Sequence, residues 1–170
     1  LHIPRDSAGS PSRPEELESA RVRLFAARER RMRPFKDDKI LADWNGLMIA
    51  ALARASRALD EPLYARAAER AASFILNRMT GGDGKLLHRF RDGEAAIPAN
   101  LDDYAFMVWG LIELYETVFD VRWLKAALDL DRQMRQDFRD ETGGGFFLAP
   151  RGTTDLLIRQ KVSSDGAIPS

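Results

Sequence analysis

The sequence contains an internal repeat with a period of 60 residues. Residues 43–49 (DWNGLMI) and residues 103–109 (DYAFMVW) begin two similar segments that stay in register without a gap. A fixed period of this kind predicts a repeat architecture, in which one unit cannot bury its own apolar face and its neighbours must cover it. The equivalent positions include Leu52 with Ile112, Asp60 with Asp120, Tyr64 with Leu124, Ala67 with Ala127, and Gly84 with Gly144.

Each unit predicts two helices of different character. Residues 104–112 carry no charge, which predicts a buried helix, whereas residues 122–138 are amphipathic. The first unit shows the same contrast between residues 44–59 and residues 62–79. Alternation of buried and half-exposed helices predicts the inner and outer rings of an α/α toroid, because a simple four-helix bundle would make all its helices similarly amphipathic. The apolar stripe predicted for the first inner helix comprises Trp44, Leu47, Met48, Ala51, Leu52, Ala55 and Leu59.

The segments after the amphipathic helices predict glycine turns and short β-hairpins. Residues 81–84 and 143–145 are glycine clusters, and the extended runs 85–90 and 146–149 follow them. No Gly-Lys-Ser/Thr follows either cluster, so they predict turns rather than phosphate-binding loops. Residues 156–160 are predicted to pair with the second extended run. The fold class expected is therefore all-α, with short β-hairpins in the loops.

The chain divides into a short linker and a partial toroid. Residues 1–13 are rich in Pro, Ser and Gly and predict a linker or disordered terminus. The partial toroid is expected over residues 14–170. Its predicted parts are an N-terminal helix over residues 14–31, repeat one over 38–97, repeat two over 98–160, and the start of a third repeat at 161–170.

About two and a half units do not close a ring, so we expect the chain to be a fragment of a longer domain. An open arc would leave inner-helix side chains such as Phe106, Val108 and Trp109 without their next neighbours. Exposed apolar patches promote association. We therefore predict either a homo-oligomer formed through this surface or marginal stability.

Composition excludes several classes of function. Basic and acidic residues balance at 26 each, so no overall field attracts nucleic acid or a membrane surface. The chain contains no cysteine, which excludes disulfides, a thiolate zinc site and a cysteine nucleophile. We predict no nucleic-acid or membrane partner, no cofactor and a cytoplasmic location.

Acidic or amide side chains stand near the start of each predicted inner helix. Asp and Asn are favoured N-caps because their oxygens accept hydrogen bonds from unpaired backbone N–H groups. Capping alone would explain one acid at each helix, at Asp43 and Asp103 for example. The residues concerned are Asp38, Asp43, Asn45, Asn100, Asp102, Asp103 and Asp165.

A catalytic interpretation competes with capping. The N-termini of inner helices converge at one mouth of a toroid, and two carboxylates about 5–10 Å apart can hydrolyse a glycosidic bond. Under this hypothesis Asp103 and Asp38 are the catalytic acid and base. The candidate substrate-binding residues are Trp44, Asn45, Asp102, Tyr104 and Asp165.

The two histidines do not predict a metal site. In an extended run, His88 shares one face with Leu86 and Phe90, which favours a structural role for it. His2 lies in the predicted linker, and the two histidines do not have the spacing of metal ligands. No metal is predicted.

Four segments in order resemble one protein family. Residues 37–52 (DDKILADWNGLMIAAL) are similar to a signature of the spermatogenesis-associated, thioredoxin-fused (YyaL-type) family. Residues 101–116, 144–147 and 165–170 resemble three further blocks of that family. The resemblance covers the chain from about residue 33 to its end.

The resemblance implies a six-hairpin (α/α)6 toroid like those of sugar epimerases and unsaturated glucuronyl hydrolases. It implies no particular reaction, and the family's thioredoxin-like domain and cysteines are absent from this sequence.

Two functions remain open. One is a carbohydrate-active domain of hydrolase or epimerase type. The other is a non-catalytic scaffold that holds a thioredoxin-like domain or another protein partner. A raised pKa on one acid of a close pair would favour the first.

Overall fold

The computed structural model describes residues 14–154 and 156–161 and is mostly helical. Contacts divide the chain into two units, residues 1–37 and 38–170. The predicted all-α fold with short strands in its loops is confirmed. The elements are α1 (Pro14–Glu29), β1 (Ile40–Leu41), α2 (Ala42–Leu59), α3 (Pro62–Arg78), β2 (Leu87–Arg91), β3 (Glu94–Pro98), α4 (Leu101–Val118) and α5 (Val121–Phe138).

The first unit contains α1, which begins with proline at its first position, where the missing N–H costs nothing. Glu18 and Arg21 form an exposed ion pair one turn apart, with a nitrogen–oxygen distance of 2.8 Å. Arg33 pairs with Glu29 just beyond the end of the helix. Cations at this end of a helix complement its dipole.

The second unit contains two helical hairpins. α2 packs on α3 and also on α4, and α4 packs on α5. Glu61 caps α3 by accepting a hydrogen bond from Leu63 N, and Asp120 caps α5 by accepting one from Arg122 N. No helix in residues 14–154 or 156–161 combines the length and apolar character needed to cross a bilayer.

The core of the second unit lies where α2 and α4 meet the outer helices and the hairpin. Burial of these side chains is the main favourable term in its folding. The largest fully buried apolar side chains are Ile49, Ile75, Met79, Leu86, Met107, Leu111, Leu114 and Phe138.

The apolar stripe predicted on α2 is wrong. Trp44 is 58% exposed and Met48 55% exposed, and Leu59 is also exposed. The buried face of α2 consists of smaller residues, chiefly Ala42, Gly46, Ile49, Ala50, Ala53 and Ser56.

Two glycines explain why this face is buried. A Cβ atom on Gly46 would lie 2.5 Å from the carbonyl carbon of Phe106, and one on Gly110 would lie 2.6 Å from the carbonyl oxygen of Gly46. The backbones of α2 and α4 are therefore in direct contact. Small residues occupy the positions at this contact because larger side chains would keep the two backbones apart.

The predicted exposure on α4 is only partly correct. Phe106 is buried, Val108 is half-buried, and Trp109 is 39% exposed. The indole N–H of Trp109 donates to Glu113. The predicted homo-oligomer stays a prediction.

A glycine turn closed by a single β-bridge follows each outer helix, and the first repeat also contains a small sheet. β1, β2 and β3 form an antiparallel sheet in that order. Single bridges between Thr80 and Leu86 and between Arg139 and Phe146 close the two glycine turns. A backbone hydrogen bond of 2.8 Å from Leu148 N to the carbonyl oxygen of Gln160 joins the segments that were predicted to pair.

Candidate functional site

One buried carboxylate, that of Asp103, joins three elements of the fold. Its side chain is 1% exposed. Oδ1 accepts a hydrogen bond of 3.0 Å from the backbone N–H of Asp43 in α2, and Oδ2 accepts one of 2.8 Å from that of Asn100. The Nδ1 atom of His88, on β2, lies 2.9 Å from Oδ1 and 3.0 Å from Oδ2. Asp103 thus ties the first turns of both inner helices to the hairpin.

The predicted N-cap positions need correction. Leu41 is the N-cap of α2 and Asn100 is the N-cap of α4, so neither Asp43 nor Asp103 occupies that position. Asp103 instead acts from the third helical position, where an acid can reach back to the N–H of the cap residue. Its second oxygen is what allows it to hold the neighbouring helix as well.

The alternation of β2 places His88 on the inner side of the sheet, as predicted. Leu86 is buried and Phe90 packs on the core, while the side chain of His88 remains 24% exposed. An ionised carboxylate only accepts hydrogen bonds, so Nδ1 carries the proton in the pair with Asp103. A neutral His88 then has its lone pair on Nε2.

Asp43 is the second acid of the cluster, and it is half-buried. Burial raises the pKa of Asp43, and the nearby charge of Asp103 raises it further. The hydrogen bond of 2.7 Å from the backbone N–H of Trp44, together with His88, acts in the opposite direction. The net result is a pKa above the ordinary value for an aspartate.

The raised pKa of Asp43 predicts a pH-dependent gain in stability for Asp43→Asn. The pKa of Asp43 is higher in the folded state than in the unfolded state. The stability of the wild type therefore falls as the pH rises from the unfolded-state pKa through the folded-state pKa. Asparagine carries no charge and keeps an oxygen to accept from Trp44. We expect Asp43→Asn to raise the thermal unfolding midpoint at pH 7 and to leave it unchanged at pH 3.

Asp129→Asn serves as the control, since that carboxylate is exposed on α5 and paired with Arg132. It should give no gain at pH 7. A gain in the unfolding midpoint of Asp43→Asn that persisted at pH 3 would show that the gain does not come from the ionisation of Asp43.

The cluster also has the donor set of a metal site. Ligand atoms of Asp43, His88 and Asp103 lie within 4.8 Å of one another. Carboxylates and imidazole suit several divalent metals. Both oxygens of Asp103 already accept backbone hydrogen bonds, however, so in this geometry Asp103 holds His88. The predicted absence of a metal stays a prediction, although the spacing argument behind it missed a convergence created by the tertiary fold.

The structure pairs Asp38 with an arginine. Its Oδ1 lies 3.0 Å from Nε of Arg91. Arg91 is three residues from His88 on β2, so the two side chains leave opposite faces of the strand. Among the predicted acids, Asp43 rather than Asp38 stands beside Asp103.

Two predicted binding residues differ sharply in exposure. Trp44 follows Asp43 at the start of α2 and is exposed, so it can present an aromatic face to a ligand. Tyr104 is 2% exposed and packs on Phe138, and its hydroxyl accepts a hydrogen bond of 3.1 Å from Leu86 N. Tyr104 is thus a core residue rather than the exposed substrate-binding residue that the sequence predicted.

The remaining predicted binding residues have smaller roles in the geometry. Asn45 is half-buried and donates from Nδ2 to the carbonyl oxygen of Leu41 at 2.7 Å, which stabilises the start of α2. Asp102 is half-buried in the first turn of α4. Asp165 lies outside the described residues.

A groove of about 590 Å³ lies at the end of β3, and Asn100 lines it. Ile97, also in its lining, has a φ of 69°, a conformation that is strained for a β-branched residue. Strain of this kind is found most often at ligand sites. The groove shares Asn100 with the Asp103 network.

Comparisons of sequence identify the family. Human spermatogenesis-associated protein 20 is 34% identical over 164 residues, which cover 91% of this chain and 21% of that protein. The rat protein of the same name is 35% identical over 164 residues, with the same coverage. An uncharacterized protein of Caenorhabditis elegans is 32% identical over 162 residues, covering 91% of this chain and 22% of that one.

This chain belongs to the spermatogenesis-associated protein 20 family. It spans about a fifth of the length of these relatives. No family model matches the chain. The family resemblance given by the four sequence segments is confirmed.

Solved structures confirm the toroid. Cellobiose 2-epimerase from Bacillus thermoamylovorans superposes with a TM-score of 0.63 at 18% identity, covering 80% of this chain and 36% of that chain. The cellobiose 2-epimerase of Spirochaeta thermophila superposes with a TM-score of 0.59 at 17% identity, covering 65% of this chain and 29% of that chain. Unsaturated glucuronyl hydrolase from a Bacillus species superposes with a TM-score of 0.50 at 19% identity, covering 74% of this chain and 41% of that chain. At these identities the likeness shows the fold: this family member forms part of an (α/α)6 toroid.

Proposed function

We propose that this chain carries a carbohydrate site at which His88 transfers a proton, with Asp103 as its positioning residue and Asp43 as the partner acid. The observation that supports this most is the convergence of the three side chains at the N-termini of α2 and α4, where the sequence predicted a site. The raised pKa of Asp43, one acid of a close pair, also supports a catalytic role.

The burial of Asp103 determines how the roles divide. Glycosidase carboxylates stand about 5–10 Å apart with substrate or water between them. Asp43 and Asp103 approach within 4.8 Å, and Asp103 is buried with both oxygens hydrogen-bonded. This leaves Asp103 unable to attack a sugar, and it favours His88 and Asp43 as the groups that meet a ligand.

The chemistry that suits this pair is proton transfer of the epimerase type. Nε2 of a neutral His88 removes the proton from a carbon next to the carbonyl of an open-chain sugar, which gives an enediolate and an imidazolium. The fraction of Asp43 that is protonated, which its raised pKa increases, stabilises the developing charge on the carbonyl oxygen by donating a hydrogen bond. Rotation about the C2–C3 bond then turns the opposite face of that carbon toward His88, and return of the proton from Nε2 to this face completes an epimerisation. Acid–base catalysis of this kind contributes about 10²–10⁴ in rate.

Solvent exchange tests this proposal directly. In D₂O the wild type should incorporate deuterium at C2 of a reducing sugar such as cellobiose, mannose or glucose, as followed by proton NMR. His88→Gln should reduce exchange by about 10²-fold or more, because glutamine cannot act as a base. Asp129→Asn should leave the rate unchanged.

Release of new reducing ends instead of exchange would assign hydrolysis rather than epimerisation. Absence of exchange, of hydrolysis and of any sugar-induced rise in the unfolding midpoint would reject the carbohydrate site. That outcome would favour the scaffold alternative, which the exposed side chains of Trp44 and Met48 on α2 support. A scaffold would use this face to hold a protein partner, of which a thioredoxin-like domain is the candidate implied by the family resemblance.

A further inference from the structure

A second concave surface lies on the outer helices and shares no residue with the His88 cluster. It is a groove of about 670 Å³ between α3 and the start of α5. Its size falls within the range of about 300–1,000 Å³ that is usual for small-molecule sites. Six of its lining residues are Arg66, Arg70, Phe74, Arg78, Arg122 and Trp123.

The groove is basic although the chain as a whole is neutral. Four arginines line it, against one acid, Glu69. Arg78 lies over the ring of Phe90, and Arg122 is paired with Asp120 at 2.6 Å.

Arg66 and Arg70 are exposed and one turn apart on α3. Two like charges at this spacing repel each other along the helix. An anion between the two guanidinium groups would remove that repulsion.

Trp123 forms part of the groove wall, and its indole nitrogen is enclosed by the protein. The side chain is 95% buried, with 5% exposed, and its indole N–H has no hydrogen-bond acceptor among the described residues. Burying a donor without an acceptor costs free energy, and such groups are uncommon in folded proteins. Trp123 is the third residue of α5, where the positive end of the helix dipole favours an anion.

We propose that this groove binds the phosphate monoester of a small molecule. Arg66 and Arg70 hold the phosphoryl oxygens, since the planar guanidinium group donates two hydrogen bonds to such an anion. The ring of Phe74 forms an apolar wall for the rest of the molecule.

The indole N–H signals of the three tryptophans report this binding by ¹H–¹⁵N NMR on the 170-residue chain. Trp123→Phe assigns the signal of Trp123. Glucose 6-phosphate should shift that signal saturably while those of Trp44 and Trp109 stay in place, and glucose should not shift it. Arg66→Gln and Arg70→Gln should each weaken binding about tenfold or more, since each removes a charged hydrogen bond.

Arg132→Gln is the matched control, because Arg132 is an exposed arginine on α5 that does not line the groove. It should bind like the wild type. Equal weakening by Arg132→Gln, equally tight binding of inorganic phosphate, or no saturable shift with glucose 6-phosphate would each overturn the proposal. The unchanged signals of Trp44 and Trp109 show in the same spectra that the variants are folded.

Discussion

Asp103→Ala is expected to lower the free energy of unfolding by about 3–5 kcal/mol, because it removes the one acceptor that three buried or half-buried groups share. The backbone N–H groups of Asp43 and Asn100 and the Nδ1 atom of His88 would all lose their partner. A loss of this size is a large part of the 5–15 kcal/mol that stabilises a typical domain. Urea denaturation monitored by circular dichroism would measure it as a fall in midpoint at constant slope.

Two further variants make this result specific to the hydrogen bonds of Asp103. Asp103→Asn keeps the shape and one acceptor oxygen but turns an NH₂ group toward a donor, so it should cost less than alanine but remain clearly destabilising. Asp129→Ala, which removes an exposed carboxylate on α5, should change stability by less than about 0.5 kcal/mol. A loss below about 1 kcal/mol for Asp103→Ala would show that Asp103 does not hold the three elements together.

Gly46→Ala and Gly110→Ala are each expected to destabilise the chain by about 2 kcal/mol or more. Alanine favours a helix over glycine by about 1 kcal/mol, so propensity alone predicts a gain. Packing opposes it, because the new Cβ would meet the backbone of the facing helix at 2.5 Å or 2.6 Å. Backbone atoms cannot rotate away, so α2 and α4 must separate, and overpacking of a core costs about 1–3 kcal/mol and occasionally more.

Gly82→Ala is the matched control, because a Cβ atom at this turn position would have no neighbour within 4 Å. It should change the urea midpoint little. The double variant Gly46→Ala/Gly110→Ala should lose less than the sum of the single losses, since helices already separated accommodate the second methyl group more easily. Stabilisation by either single variant would mean that propensity outweighs packing, and that the two helices do not approach as closely as described.

The sequence predicted the helices better than the faces they bury. The 60-residue period placed α2 and α4 as equivalent inner helices, and their equivalent residues do meet, as Asp43 and Asp103 show. The stripe on α2 was wrong because periodicity counts apolar side chains and gives no weight to glycine. In the fold, Gly46 decides the contact and Trp44 is left exposed.

The candidate site was predicted in part. Asp103 was expected to lie near a second carboxylate, and the structure brings it close to Asp43, while Asp38 pairs with Arg91. The role of His88 was missed, because it comes from a hairpin 15 residues before Asp103 and alternation alone shows only that it faces inward.

The amino-acid sequence alone determined the repeat, the helical class, the toroid and the family, because these follow from periodicity and from motifs read along the chain. Only the tertiary structure decided which acid pairs with which, that Tyr104 is buried and Trp44 exposed, and that His88 joins the cluster. Those outcomes depend on distances between segments far apart in sequence. The close approach of α2 and α4 is one such distance, and two glycines allow it.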